Sequence, residues 1–253
     1  IKVVTPKYNA PKKVQKRLMM NMDESYYPEN FVVPNTEIVH DRAMEEIFRG
    51  CIRGCRFCQA GFLYRPVREK SPEVINRQCH SLCNNTGYDE VSLSSLSSSD
   101  YTQIVPLLTK LNEWSVDDKV SISLPSLRVD GFTDDIMSKI KTVRKSGLTF
   151  APEAGSQRLR DAINKNVAED ELLNTCSVAF SGGWTRVKLY FMIGLPTETM
   201  EDVNAIPALG KSVVDEFYKN PNRPKGKAVS VTVSASSFVP KPFTPFQWEP
   251  QDT

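Results

Sequence analysis

Cys51-Ile52-Arg53-Gly54-Cys55-Arg56-Phe57-Cys58 is the stretch on which the reading of this sequence turns. Three thiols at C-x3-C-x2-C spacing converge only if the chain curls around a common centre. Thiolate is a soft ligand that suits iron–sulfur clusters or zinc. A cubane has four irons, so three cysteines leave one iron without a protein ligand, and that iron is an open Lewis-acidic position. Cys51, Cys55 and Cys58 are therefore the candidate metal ligands. Gly54 is expected to permit the tight path of the loop, and Phe57 to shield the cluster side. The alternative is a zinc knot, which needs a fourth ligand. No further cysteine or histidine occurs between Cys58 and Cys79, although Cys79, His80 and Cys83 lie within reach in sequence. Cys79 and Cys83 fall at i,i+4 on an expected helix and read as core thiols, as does Cys176. His40 reads as a structural histidine.

Outward from the loop, the chain alternates. Residues 43 to 48 read as a strand running straight into the cysteines. Further strands are expected at 90 to 94, 119 to 124, 148 to 151, 185 to 193 and 228 to 235. Between them, helices are expected at 72 to 84, with Ser71 as N-cap and Pro72 at the first position, and at 101 to 113, behind an Asp100 cap. Others fall at 134 to 145, 156 to 163, 169 to 180 and 199 to 219, the last bent or ended by Pro207. Short β-branched strands separated by amphipathic helices imply an α/β fold with a parallel sheet. There are too few strands for an eight-unit barrel. An incomplete (β/α)6 TIM-like barrel fits better, with a doubly wound sheet as the alternative. No Gly-x-Gly-x-x-Gly and no Gly-x-x-x-x-Gly-Lys is present, so those nucleotide-binding motifs lend nothing.

Residues 1 to 36 contain Pro6, Pro11, Pro28 and Pro34 and read as an extended basic segment or interdomain linker, with one short helix at 14 to 20. The main domain is expected over 37 to 253. The chain lacks an initiator Met and is expected to be part of a longer polypeptide. No apolar run approaches the roughly 18 residues of a membrane span. With 253 residues and six cysteines, three of them clustered, the chain is too core-rich to need disulfides and reads as cytoplasmic. A net charge of +2 is too small to imply nucleic acid by itself. Its distribution is uneven: Lys2, Lys7, Lys12, Lys13, Lys16 and Arg17 occur with no acid among residues 1 to 20. Such a run is either a solvated linker or a field for an anionic partner such as RNA.

The cysteine loop with its flanks, from Glu45-Glu46-Ile47-Phe48-Arg49-Gly50 to Arg65-Pro66-Val67-Arg68, resembles that of the radical SAM superfamily. More particularly, it resembles a family of poorly defined function that is associated with cobalamin-binding domains. The core is distantly similar to radical SAM methylthiotransferases. The resemblance covers roughly residues 37 to 250 and implies a [4Fe-4S] cluster whose open iron is chelated by S-adenosylmethionine. It places further cofactor contacts at strand ends. Ser94 and Ser95 fall where the superfamily carries glycines and an acid that receive the SAM amino group. Arg128 falls where a polar residue meets the ribose or carboxylate, and Glu153 where a glutamine meets the ribose. Ile193 and Gly194 match the adenine-side motif. Each has a plainer reading: Arg128 as a turn residue with Asp130, Glu153 as a helix cap, and 194 to 196 as a strand-to-helix turn.

The resemblance further implies reductive cleavage of SAM to a 5′-deoxyadenosyl radical that abstracts hydrogen from a substrate. It implies an external one-electron donor such as flavodoxin or ferredoxin, and allows cobalamin through a domain outside this chain. No Asp-x-His-x-x-Gly occurs, and no second three-cysteine set precedes residue 51. RNA is the substrate class suggested by the basic flanks. The strip at 240 to 248, rich in proline and aromatics, either packs on the barrel or closes its mouth against a base. Two other classes stay open on the residues alone: an iron–sulfur electron-transfer or redox-sensing module, and a noncatalytic RNA-binding or structural zinc protein.

Overall fold

The computed structural model describes residues 5–125, 128, 129, 136, 139 and 147–252. The expected helix at 134 to 145, along with Ser126 and Leu127, lies outside the described residues. The six expected barrel strands are present and parallel: β1 (Ala43–Glu46), β4 (Glu90–Ser94), β5 (Ser121–Ser123), β6 (Leu148–Glu153), β7 (Arg186–Ile193) and β8 (Ser230–Ser237). They form two three-stranded sheets, ordered β1-β4-β5 and β6-β7-β8. Helices α2 (Pro72–Thr86) and α3 (Ile104–Ser115) cover the first sheet, and α5 (Glu169–Ser181) and α6 (Met200–Lys219) cover the second. Alternation explains the arrangement. Val91 and Leu93 face Ile75, Leu82 and Leu108, while Val187, Leu189 and Phe191 face Phe180, Val213 and Phe217. The opposite faces of both sheets are left for a shared interior.

Several expectations change. The first strand does not run straight into the cysteines. It breaks after Glu46, and β2 (Phe48–Arg49) pairs antiparallel with β3 (Arg68–Glu69), closing residues 50 to 67 into one loop. That loop contains a short helix, α1 (Ala60–Leu63). The expected helix at 14 to 20 is absent; a 3-10 turn follows instead at Met22–Glu24. The extended segment is tied to the cluster loop instead: Arg68 donates to the Met19 carbonyl (3.2 Å) and Lys16 to that of Arg65 (3.0 Å). Asp100 does not cap α3, whose N-cap is Gln103, because its carboxylate is taken by Arg53. Pro207 does not end α6. Ile206, Leu209 and Val213 are buried around it, and burial of that face offsets the roughly 3 kcal/mol a helical proline costs. Ser71 does cap α2, accepting from Val74 N, with Pro72 at its start.

Beneath the loop's exit, Lys70 is bound to Glu45 and to Gln78 Oε1 (3.0 Å), all three buried. Tyr27, from the N-terminal segment, lies against the Lys70 ammonium at 4.6 Å. This fully desolvated pair ties the strand before the cysteines to the strand after them.

Candidate functional site

Cys51, Cys55 and Cys58 share a cavity of about 360 Å³ with Phe57, Arg128 and Glu153. Leu96 and Ser97 from beyond β4, Thr149 and Ala151 of β6, Tyr190 of β7 and Lys165 are among its other walls. The site thus draws on both sheets, with Leu96, Ser97 and Glu153 at the carboxyl ends of β4 and β6, where a barrel of parallel strands gathers its chemistry, and Thr149 and Tyr190 deeper along their strands.

The loop is held from both sides. Asn164 Nδ2 donates to the Gly54 carbonyl (2.8 Å), and Arg56 N to the Ile163 carbonyl (2.9 Å). Arg53 Nε donates to Asp100 (2.9 Å), and Arg65 to the Arg53 carbonyl (3.0 Å). Burial would raise the Asp100 carboxyl, but Arg53 and Ser97 outweigh it and hold it below its ordinary value. Gly54 was expected to supply the backbone freedom, yet the constrained glycine is Gly50. Its φ is +103°, and a Cβ there would stand 2.8 Å from the Tyr64 carbonyl and 2.9 Å from that of Pro66. At Gly54 the only atom in the way is the end of the Asn164 side chain.

The donor set fits an iron–sulfur cluster. All three thiols are free and reach one cavity from one loop. The Cys51 sulfur accepts the Arg53 amide at 3.4 Å, the kind of bond that supports a charged sulfur. Burial pushes the Cys55 thiol above its ordinary value, and the Lys165 and Arg128 cations offset this only in part. Among the described residues no three His, Cys, Asp or Glu side chains are gathered tightly enough for one metal ion. Cys79, Cys83 and Cys176 are buried in the two cores, and burial drives the latter two thiols to about 11 and about 12. His80 stands edge-on to Trp114 at 4.8 Å, and His40 meets Arg42 at 3.1 Å. None of these five lines the cavity.

Among the remaining sites, Arg128 donates to the carbonyls of Lys165 (3.2 Å) and Asn166 (3.4 Å), which spans it across the cavity wall. Glu153 ends β6 in the left-handed region (φ 69°) and pairs with Lys165 at 3.4 Å. Burial raises its carboxyl, and Lys165 partly offsets this. Glu153 is not the cap of α4 (Gln157–Ala162); Ser156 is, accepting from Leu159 N at 3.1 Å. A non-glycine residue held at positive φ beside a cavity is strain of the sort that functional sites carry. Ser94, Ser95, Ile193 and Gly194 end β4 and β7 at the same rim but do not line the cavity. The Ser95 hydroxyl meets that of Ser98 at 2.9 Å, and Gly194 N donates to Glu198 at 2.6 Å.

Sequence reasoning missed Leu96, Ser97, Thr149, Tyr190 and Lys165. Thr149 and Tyr190 were legible as the non-core alternates of their strands. Lys165 carried no local signal. The strip at 240 to 248 is divided. Phe246 packs near Phe238 and the Phe57 cluster, and its amide donates to Arg56 O at 3.3 Å, whereas Phe243 and Trp248 are exposed.

Three thiols of one loop, facing one cavity among parallel strands, are the mark of an iron–sulfur protein. The radical SAM superfamily matches residues 46–208, and this chain belongs to it. Members of that superfamily use a [4Fe-4S] cluster and S-adenosylmethionine. An uncharacterized protein of Methanocaldococcus jannaschii is 33% identical over 261 residues, spanning 100% of this chain and 55% of its own length. The ribosomal protein uS12 methylthiotransferase RimO of Thermotoga maritima is 27% identical over 187 residues, 69% of this chain and 41% of its own. This chain therefore spans about half the length of the relatives it matches. The radical S-adenosylmethionine methyltransferase TsrM of Kitasatospora setae, solved with cobalamin and a [4Fe-4S] cluster bound, shares the fold with a TM-score of 0.61. It is 12% identical, over 82% of this chain and 39% of that one.

Proposed function

We propose that residues 37 to 253 form the radical-generating domain of a longer cytoplasmic enzyme, preceded by an extended basic segment at 1 to 36. Cys51, Cys55 and Cys58 would hold the cluster and leave one iron for SAM. When bound, the cluster would supply one-electron reductive cleavage of SAM, with flavodoxin or ferredoxin as donor, to methionine and a 5′-deoxyadenosyl radical able to take hydrogen from a substrate. This chain's residues orient the reactants and keep water out. Arg128 offers its cation to the SAM carboxylate or ribose, and Glu153 accepts from the ribose hydroxyls. Phe57 screens the cluster side. Ser94 and Ser95 belong to the amino-group side, and Ile193 and Gly194 to the adenine side, of the same rim. The observation that carries this reading is the meeting of the three thiols with Arg128 and Glu153 in one cavity.

RNA is the finer reading for the substrate. Lys16 docks on the Arg65 carbonyl, which sets the basic stretch around Lys12, Lys13 and Arg17 beside the cluster loop. A cobalamin-type domain before residue 1 fits the similarity to TsrM and the relatives' greater length. Helices long and apolar enough to cross a membrane are absent among the described residues.

Anaerobic reconstitution with iron and sulfide tests the proposal. We expect a brown protein that releases 5′-deoxyadenosine from SAM under dithionite, with Cys55→Ala abolishing the product. A protein that takes up the cluster yet neither binds nor cleaves SAM would make it an electron-transfer module instead. One that takes up a single zinc and no sulfide would make it a structural zinc protein.

A further inference from the structure

Barrel interiors are ordinarily filled by layers of bulky Val, Ile and Leu. Here the inward face carries hydroxyls and charged groups, among them Ser92, Thr149, Lys188 and Thr232. In β7, Val187, Leu189 and Phe191 are packed under helices, so Lys188 and Tyr190 point the other way, and Tyr190 reaches the cavity that holds the cysteines. The register sets Thr149 of β6 and Thr232 of β8 on either side of Lys188. Adjacent strands are about 4.8 Å apart, so a lysine leaves the sheet between two threonines in one row across three strands. Thr149 also lines the cysteine cavity, which makes this row continuous with it. From the facing sheet comes Ser92, 1% exposed, whose hydroxyl is buried with no partner.

The charge pattern of this interior is lopsided. The inward carboxylates of Glu46, Glu90 and Glu153 are each bound, to Arg49, Arg42 and Lys165. Lys188 has no carboxylate partner among the described residues, and its ammonium rests 4.6 Å from the centre of the Tyr190 ring. A cation flanked by hydroxyl donors and lacking a counter-charge is a receptor for an oxyanion.

We propose that the Thr149–Lys188–Thr232 row binds the anionic group of the substrate, a phosphate or a carboxylate, and so fixes the rest of that molecule against the cavity of the cysteines. The row is distinct from Arg128 and Lys165, which face the cofactor side. As a statement about substrate this rests on the radical SAM reading, but the anion site itself is testable without the cluster.

The test is pulse acetylation of the full-length protein with an N-hydroxysuccinimide ester, read at Lys188 by peptide mass spectrometry. Inorganic phosphate, acetate and chloride are compared at matched ionic strength. We expect phosphate or acetate to slow labelling of Lys188 at least threefold relative to chloride, with exposed Lys211 unchanged. The more protective anion identifies the substrate's group. A Thr149→Val, Thr232→Val double variant should lose most of that protection. Equal labelling of Lys188 in all three salts, or protection untouched by the double variant, overturns the row. SAM cleavage is followed on the same preparation after reconstitution. Protection without cleavage leaves the anion site standing and refutes the radical reading, and cleavage without protection does the reverse.

Discussion

Gly50 enters the cluster loop at φ +103°, immediately before the first thiol. An alanine there pays twice, for a backbone region that L side chains avoid and for a methyl driven to within about 3 Å of three backbone atoms at Tyr64, Pro66 and Val67. Backbone cannot step aside as a flexible side chain can. We expect Gly50→Ala to lose about 2–3 kcal/mol of stability and to retain less than half of the wild-type iron and sulfide after reconstitution. Urea unfolding and metal analysis check this; full loading would show that the loop closes by another route. Cysteine spacing was readable because ligand chemistry is local. The choice between Gly50 and Gly54 was not, because the constraint at Gly50 comes from atoms 14 to 17 residues away, brought close only by the β2–β3 pairing. Arg160 was invisible for the same reason. It is fully buried and donates to the carbonyls of Ala154, Gly155 and Val167, a role its sequence neighbours do not announce.

At the scale of elements, helices were legible where they carried their own end signals and faded where tertiary partners decided. Ser71-Pro72 opens α2 and Gly87 closes it. The segment at 14 to 20 has apolar residues at helical spacing, but Val14 and Met20 stay exposed and its polar groups serve the cluster loop. A buried face, rather than spacing, is what stabilises a short helix. The start of α6 shows such a partner at work. Asp202 accepts from Thr199 N (2.8 Å) and also binds Ser156 and Arg158, joining the helix to the turn after β6. Burial alone would raise its carboxyl, but these donors outweigh it and bring it down to about 2. A depressed carboxyl contributes stability that is complete above its unfolded value near 3.9 and disappears as pH falls through the folded one. Arg158 is half exposed and screened, so the contribution is discounted to about 1 kcal/mol. Asp202→Asn should therefore be less stable than wild type by about that amount at pH 7, with the gap closing between pH 4 and 2. Denaturant unfolding across that range measures it, and a gap independent of pH would mean that packing, not charge, sets the cost.

On the scale of the molecule, the cluster loop is the piece that both sheets hold in common. It leaves the first sheet through β2 and β3, yet its backbone is bonded to Ile163, Asn164 and Phe246 on the side of the second. Gln59 adds a bond to the Pro242 carbonyl at 3.2 Å. Parallel strands on a half-barrel were foreseeable from the alternation of short strands and helices, but a bridge made by a loop was not, since its partners lie more than 100 residues downstream. The bridge has a consequence for ligand linkage. A group that binds only the closed loop stabilises everything that must open with it, by about 2.7 kcal/mol at a hundredfold excess over its dissociation constant, or roughly a hundredfold in opening. Cluster loading should then slow amide exchange beyond the loop, in α4 and at residues 242 to 246, by tenfold or more. Amides of α2 are anchored in the first core by Ile75, Cys79 and Leu82, so they should change little. Hydrogen exchange of the apo and reconstituted protein, read by mass spectrometry, separates the cases. Slowing confined to residues 51 to 63 would mean that the loop grips its cluster without coupling the two sheets, and the second sheet would then have to hold its half of the cavity unaided.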